Sequence, residues 1–432
     1  MDPKHFESLY PEDASEREIG EIVTYIKEGG SVQLIGLPGV GRSSLLGLLA
    51  YNHAIHLKHF PVHHKDVHFC MLNFAEVRDK SLVEVWKYMM ITLASSLQER
   101  GMSGRHDKVD AILRKALSYQ DESVMSQGLK SVIEYLAVEE KLTVILLCNK
   151  FDSYLPNVSK EFFTVLAALR DRAKYRFSVI FSLSRSLEES VDQDILHDFS
   201  DSVSSNSIYL SLYDDATINF RLAYLEKITQ KSIPSDVQSK ILGLTGGHLR
   251  LTKLICEAYL EGNDIELGSL ILQGKIVSAL SDIWNELTPS EQEALLLGKR
   301  TEAGVYLEKI GMMAVDDIKI PLLKSWADQA PKRSEDISLD VDSNTIRLGE
   351  KVLSDDLTKA EYRLLSYLLK HREEIVGRED IIQHVWAQNQ SVQGVTEQAV
   401  DQLVFRLRRK IEKDPNNPSH ILTIKGRGIK LV

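Results

Sequence analysis

Apolar runs of five to seven residues recur through the first half of the chain, at Ser31–Ile35, His68–Asn73, Leu142–Cys148 and Phe177–Leu183. Each has the length of a buried strand, and the stretches between them are longer, with apolar residues at helical spacing. Strands alternating with helices in this way predict a parallel sheet covered on both faces across residues 1 to about 210. From there to about 265 the pattern is helical alone and contains Leu244-Thr245-Gly246-Gly247-His248-Leu249-Arg250. A third unit, 266–328, is compact and helical. One of its helices opens within Leu287-Thr288-Pro289-Ser290-Glu291, where Ser290 is a candidate N-cap and Thr288 and Pro289 compete for the start. The polar stretch Ala327–Glu335 contains a proline and reads as a linker. A small, complete domain follows over 336–432.

That last domain opens on a two-stranded pattern, Ile337–Val341 then Thr345–Leu348. Thr358 with Glu361 three residues on forms a capping box ahead of an apolar-periodic segment. Gly377–Ile382 leads to Val385 and Trp386 at helix spacing. A third helix has Val400, Val404, Leu407 and Ile411 in one stripe. Burying that stripe turns Gln398, Gln402, Phe405 and Arg409 outward, with Arg406 and Arg408 on the flanks. The chain closes on a hairpin, Ile421–Leu431, with Gly426-Arg427-Gly428 at its tip.

Chemistry enters at Gly36-Leu37-Pro38-Gly39-Val40-Gly41-Arg42-Ser43-Ser44, between the first strand and the helical run Leu45–Ala50. Glycines at this position let backbone N–H groups wrap a phosphate at a helix N-terminus, and Ser43 stands where a hydroxyl ligand to Mg²⁺ belongs. Arg42 replaces the expected lysine. The swap keeps the charge but puts a planar fork in place of a compact ammonium. The second expected motif is a strand ending in Asp-Glu, and the candidate is Val144–Asp152. It carries Asn149 and Lys150 in those two places, so it lacks a carboxylate for the metal shell and a general base. Asp152 is a candidate substitute carboxylate. These departures predict a loop that holds ATP or ADP with Mg²⁺ and hydrolyses it weakly or not at all. Asn149-Lys150-x-Asp152 also matches the base-selecting motif of GTPases, which leaves GTP as the alternative nucleotide. An active NTPase is a further alternative, one in which Asp152 serves the metal.

On Gly36–Ser44, Val144–Asp152, the strand Val179–Ser184 and Thr245–Arg250, the first 320 or so residues resemble the AAA+/STAND class of P-loop ATPases. The fold this implies is a P-loop parallel-sheet core (1–210), a helical lid (211–265) and a first winged helix (266–328). The resemblance also implies that Arg250 reaches a γ-phosphate as a sensor residue. The departures lie where hydrolysis is decided. The last 95 or so residues resemble the OmpR-type winged helix of response regulators, which implies binding to double-stranded DNA. The helix residues Gln398, Gln402, Arg406, Arg408 and Arg409 would then enter the groove, and Lys425, Arg427 and Lys430 on the hairpin would contact phosphate. Leu403 and Phe405 stand where that family often places polar or basic contacts. The alternative is a winged helix that docks a protein, within an interaction scaffold or a homo-oligomer.

Charge supports a local rather than a global interaction with DNA. The 432-residue chain has a net charge of −10, yet residues 345–432 hold 15 Lys and Arg against 12 Asp and Glu. With 43% hydrophobic and 26% charged residues, the composition is that of a globular protein. Three scattered cysteines exclude a disulfide framework. Met1–His5 carries no basic-then-apolar leader, and no apolar run nears the ~18 residues of a membrane span. A soluble cytoplasmic protein without membrane contact is therefore expected. Six of the 13 histidines fall between His53 and His68. The segment reads as a polar loop without paired metal-ligand spacing. Cys148 reads as core, as do Trp284, Trp326 and Trp386.

Overall fold

The computed structural model describes residues 4–119, 121–196, 198–212, 214–298, 304–314, 317–329, 337–340, 345–348, 351–372, 374–386, 397–412, 418, 420–424 and 427–431. Most of the linker and Lys425 of the hairpin lie outside these residues, and so does the side chain of Gln398. The chain forms two compact units, 1–325 and 326–432.

In the first unit, five strands form one parallel sheet: β1 (Val32–Ile35), β2 (Val67–Asn73), β3 (Thr143–Asn149), β4 (Phe177–Leu183) and β5 (Ser207–Tyr209), in the order β2-β3-β4-β1-β5. All of β1 and β4 is buried, as expected for strands covered on both faces. Because the strands run parallel, the residues that follow β1, β3 and β4 all emerge at one rim of the sheet. That rim collects Gly36, Asn149 and Ser184. Trp86, fully buried, stacks on Phe162 at 5.3 Å on one face of the sheet.

The helical lid comprises Asp215–Thr229, Ser235–Thr245 and Leu249–Leu260. Asp214 caps the first of these, its carboxylate accepting the Thr217 N–H at 2.8 Å. Gly246, at φ 59°, ends the second. Beyond the lid lie the helices Gly274–Asn285, Pro289–Leu297 and Gly304–Lys309 and a two-stranded ladder, Met313–Ala314 with Asp317–Ile318. Thr288, rather than Ser290, caps the middle helix. Pro289 occupies the first helical position, so Thr288 is the last extended residue, and it forms a capping box with Glu291.

This last part of the unit is fastened to the sheet through Arg185, just past β4. The guanidinium forks onto both Glu291 oxygens, donates to Glu286 O at 2.9 Å and lies 3.7 Å over the Tyr306 ring. The Tyr306 hydroxyl donates to Ser184 O at 2.5 Å, and burial pushes its pKa well up.

The histidine-rich segment differs from expectation. His53–His59 is a helix capped by the Asn52 side chain, whereas His68 lies on β2, as its apolar run predicts. Once Asn52 supplies a cap, Ile55 and His56 can be buried on one helical face, which outweighs the polar composition.

In the second unit, strands Ile337–Asp340, Thr345–Leu348 and Lys351–Val352 form an antiparallel sheet. Helices Lys359–Lys370, Arg378–Trp386 and Glu397–Ile411 follow. A second sheet places Gly428–Leu431 between Ile375–Val376 and Ile421–Ile424. The core takes Val400, Val404, Leu407 and Ile411 from the third helix as expected, and Leu403 as well. Leu403 thus belongs to the interior and is no candidate for an outward contact. Trp326 is buried, whereas Trp284 and Trp386 are half-buried. Among the described residues no helix is long and apolar enough to cross a membrane.

Leu403→Ala should destabilise the C-terminal unit by about 2–5 kcal/mol, the cost of a cavity at a fully buried leucine, read as faster hydrogen exchange confined to residues 354–431. A second prediction concerns acid. Burial alone would raise the Glu291 pKa, but the Arg185 guanidinium and the Thr288 N–H outweigh it and hold the carboxyl below the ordinary value. A carboxyl lowered in the fold stabilises it above its unfolded pKa, and the contribution is lost as pH falls through the lowered one. Thermal stability should therefore fall between about pH 5 and pH 3, and Glu291→Gln should flatten that fall.

Candidate functional site

The loop after β1 folds as its glycines require. Gly39 and Gly41 have φ of 83° and 121°, values that disfavour a side chain. Their space is also taken. A Cβ on Gly39 would lie 2.8 Å from the Arg250 Cβ, and one on Gly41 would lie 2.6 Å from the Leu249 Cδ1. The start of the lid helix Leu249–Leu260 is thus seated directly on the loop. The Arg250 N–H donates to Gly39 O at 3.1 Å, and His248 Nε2 lies 3.0 Å from Pro38 O. His248 Nδ1 accepts the Leu251 N–H and so caps the helix. This pair of roles needs the neutral imidazole with Nε2 protonated, and burial lowers the His248 pKa to about 4.

A cavity of about 530 Å³ opens beside the loop, between the rim and the lid. Five cations line it: Arg42, Lys150, Arg221, Arg250 and Lys253, against the carboxylates of Asp152 and Glu286. An adjoining, more apolar cavity of about 310 Å³ shares Arg221, Leu249 and Lys253 with it and extends over Phe6, Ile218, Leu222 and Cys256. The Arg221 Nη2 donates to Ser44 Oγ at 2.8 Å, while its Nε–H is buried with no protein partner. A cation-rich cavity that runs into an apolar one, with an unpaired guanidinium N–H at the junction, fits a phosphate chain carrying a planar base.

The metal does not fit as well. Ser43 Oγ donates to Asn149 Oδ1 at 2.8 Å. Both oxygens of Asp152 are engaged: Oδ1 accepts the Ser184 N–H at 2.8 Å, and Oδ2 accepts from Arg42 Nη1 at 2.9 Å and from Ser184 Oγ at 3.2 Å. Asp152 is therefore the partner of Arg42 rather than a carboxylate free for Mg²⁺. Among the described residues no three His, Cys, Asp or Glu side chains are placed to hold a metal ion, in this cavity or in the histidine-rich segment. The same ion pair puts Asp152 at the phosphate-loop end of the cavity. Arg250 lines the cavity but is paired with Asp282 at 2.5 Å.

Sequence reasoning missed Arg221, Lys253 and the two bonds of His248, because nothing near them in the chain marks them. The lid topology carries Arg221 and Lys253 across 170 and more residues to the loop. Cys148, at the end of β3, is buried and its thiol is pushed well up, so it is inert core as expected.

In the C-terminal unit the third helix leaves a stripe of Gln402, Phe405, Arg406 and Arg409 exposed at i, i+3, i+4 and i+7. Phe405 is 45% exposed. Arg406, Arg409 and, at the hairpin, Arg427 are also exposed. Arg408 has a different job. Its Nε and Nη2 donate to Ile421 O at 2.9 and 2.6 Å, and Nη2 also reaches Thr423 Oγ1 at 2.8 Å. It ties the helix to the hairpin instead of standing free for a groove. Lys430 is half-buried in the central strand.

Residues 354–431 match the family described as "Transcriptional regulatory protein, C terminal". The sensory transduction protein RegX3 of Mycolicibacterium smegmatis is 31% identical over 105 residues, which are 24% of this chain and 44% of that protein. The chain thus spans less than half the length of this curated relative. Among solved structures, a Walker-type ATPase of Pyrococcus abyssi is 14% identical, with a TM-score of 0.41, over 81% of this chain and 96% of the other. The Aeropyrum pernix Orc1 protein in complex with DNA is 12% identical, with a TM-score of 0.36, over 98% and 90%. Scores this low carry no functional comparison. The strands, helices and family match together make the C-terminal domain an OmpR-type winged helix, and it is joined to a P-loop α/β unit with a helical lid.

Proposed function

We propose that this protein is a nucleotide-binding, hydrolysis-impaired regulator that acts on double-stranded DNA through its C-terminal winged helix. The observation that carries the reading is the exposed stripe Gln402, Phe405, Arg406 and Arg409, on a helix whose other face is wholly core. Arginine forks on such a stripe suit phosphate and guanine edges, and an outward phenyl suits a thymine methyl. Gln398 and Lys425 extend the same surface in sequence, Arg427 contacts the DNA backbone beside it, and Lys430 contacts phosphate from the hairpin strand. Arg408 acts indirectly, by holding helix and hairpin together.

The nucleotide is ATP or ADP. The glycine loop, Val40, Ser43 and Ser44 cradle its phosphates, and Arg42, Arg221 and Lys253 supply charge. The apolar cavity takes the base, and Arg250 is positioned to exchange Asp282 for a phosphate. With Asn149 amidic and Asp152 committed to Arg42, neither residue is left to activate water, which supports binding without turnover. Nucleotide occupancy then sets the engagement of DNA. The domain limits we propose are 1–210, 211–265, 266–328 and 336–432. Phe405 favours a second reading, in which the same face docks a protein partner or a second copy of this chain.

The nucleotide released on denaturing the purified protein should be ATP or ADP by mass. Material that stays empty under saturating ATP and GTP would sink the nucleotide half of the proposal. Arg406→Ala and Arg409→Ala should each weaken DNA binding across sequences and reduce the log–log salt slope by about 1. DNA affinity that is negligible and insensitive to salt would transfer the face to a protein partner.

A further inference from the structure

A second cleft of the first unit lies away from the phosphate loop. It has a volume of about 800 Å³ and runs between the His53–His59 helix and the end of the helix Leu82–Glu99, beside edge strand β2. Its charge is one-sided. Lys4, Lys65, Arg100 and Arg105 line it together with the imidazoles of His5, His53, His56 and His64, and among the described residues Glu99 is the single lining carboxylate. Glu99 is already paired with Lys4 and lies 3.4 Å from His5 Nε2. Arg105 is paired with Glu140 at 2.9 Å. Lys65 is exposed.

The floor is built to hold this charge in place. Arg100 is fixed by two backbone carbonyls, Ala50 O at 2.7 Å and Val67 O at 3.3 Å, so its charge is hydrogen-bonded but not neutralised. Burial lowers its pKa. His56 is held by Leu49 O and stacks on Phe69 at 5.1 Å, and the His5 ring lies parallel to Tyr51 at 3.6 Å. His64 packs edge-on to His53 at 6.1 Å, and its Nδ1 is buried with no partner. A half-buried guanidinium held by carbonyls and a buried imidazole nitrogen without a partner are both costly unless something completes them. Among the described residues no three metal-ligating side chains converge here, and the surplus of positive charge in the lining suits an anion.

We propose that this cleft binds a small, multiply charged oxyanion, phosphoryl or carboxylate, between Lys65, Arg100 and the imidazoles of His53 and His64. The unpartnered His64 Nδ1, the Arg100 guanidinium and the Lys65 ammonium are the groups that such an anion would engage. The groups facing these imidazoles are Lys4 from the N-terminal segment, Tyr51, Lys65 from the loop before β2, and Glu99, Arg100 and Arg105 from the helix end and the next helix. Burial, with the Lys4 charge, lowers the pKa of His5, and burial, with the Arg100 charge, lowers that of His56 to about 4. The site is separate from the nucleotide site, so either can fail without the other.

The test is a titration of the full chain, labelled with carbon-13 in its histidine rings, with inorganic pyrophosphate and, in a second arm, citrate. Signals are assigned with His53→Gln and His64→Gln. We expect the His53 and His64 resonances to shift together on addition of the anion. Lys65→Ala should lose about tenfold in affinity, the worth of one near-surface charge contact. A response to both anions supports a general polyanion site, and a response to pyrophosphate alone supports a phosphoryl site. A shift confined to His248, which touches the phosphate loop, overturns the proposal. So does the absence of any histidine shift, or a Lys65→Ala protein that binds as tightly as the wild type.

Discussion

The seat of one helix on two glycines organises the first unit. Leu249 and Arg250 occupy the volume that side chains at Gly41 and Gly39 would need, and the Arg250 N–H bonds to the loop itself. A backbone hydrogen bond contributes only about 1 kcal/mol net. The closure therefore depends mainly on steric fit and on the burial of Leu249, with His248 setting the angle of approach through its two ring nitrogens. Because the helix Leu249–Leu260 starts on the loop, Lys253 is brought to the cavity, where Arg221 of the first lid helix also reaches Ser44, and the apolar cavity opens beside the polar one. A change in the loop is felt at once by the lid.

The departures from an ordinary P-loop motif form one arrangement. A lysine ammonium would leave the carboxylate at the rim free, whereas the Arg42 fork reaches Asp152 and Ser184 together. Asp152 is then satisfied by a guanidinium, a backbone N–H and a hydroxyl, and Asn149 is left to accept from Ser43. Charge is balanced within the protein at the point where a hydrolytic site would balance it with metal. Ser184 continues the network to Tyr306, and Arg185 continues it to Glu291, so the rim of the sheet and the helices beyond the lid share one set of polar contacts.

The C-terminal domain separates arginines that are adjacent in sequence. Arg406 and Arg409 lie on the open stripe, while Arg408, some 100° further round the helix, reaches the hairpin strand. The fixed arginine gives the hairpin a definite position against the helix, which the free ones need in order to act as a face. Lys410 is likewise committed, to Glu361 at 2.6 Å and so to the capping box of another helix.

Much of this was legible in the order of the residues. Strand length and alternation set the parallel sheet, Gly36–Ser44 placed the phosphate loop, and the spacing of Val400, Val404, Leu407 and Ile411 identified the third helix and its open side. These features are local, governed by backbone periodicity and by what glycine and capping residues permit within a few positions. The pairings were not legible. That Asp152 answers Arg42, that Arg408 turns inward, that Leu403 is core, and that scattered histidines and cations share a cleft are all contacts between distant segments. Charge complementarity and burial decide such contacts only after the chain has folded, because only then does the solvent that would otherwise satisfy each group leave.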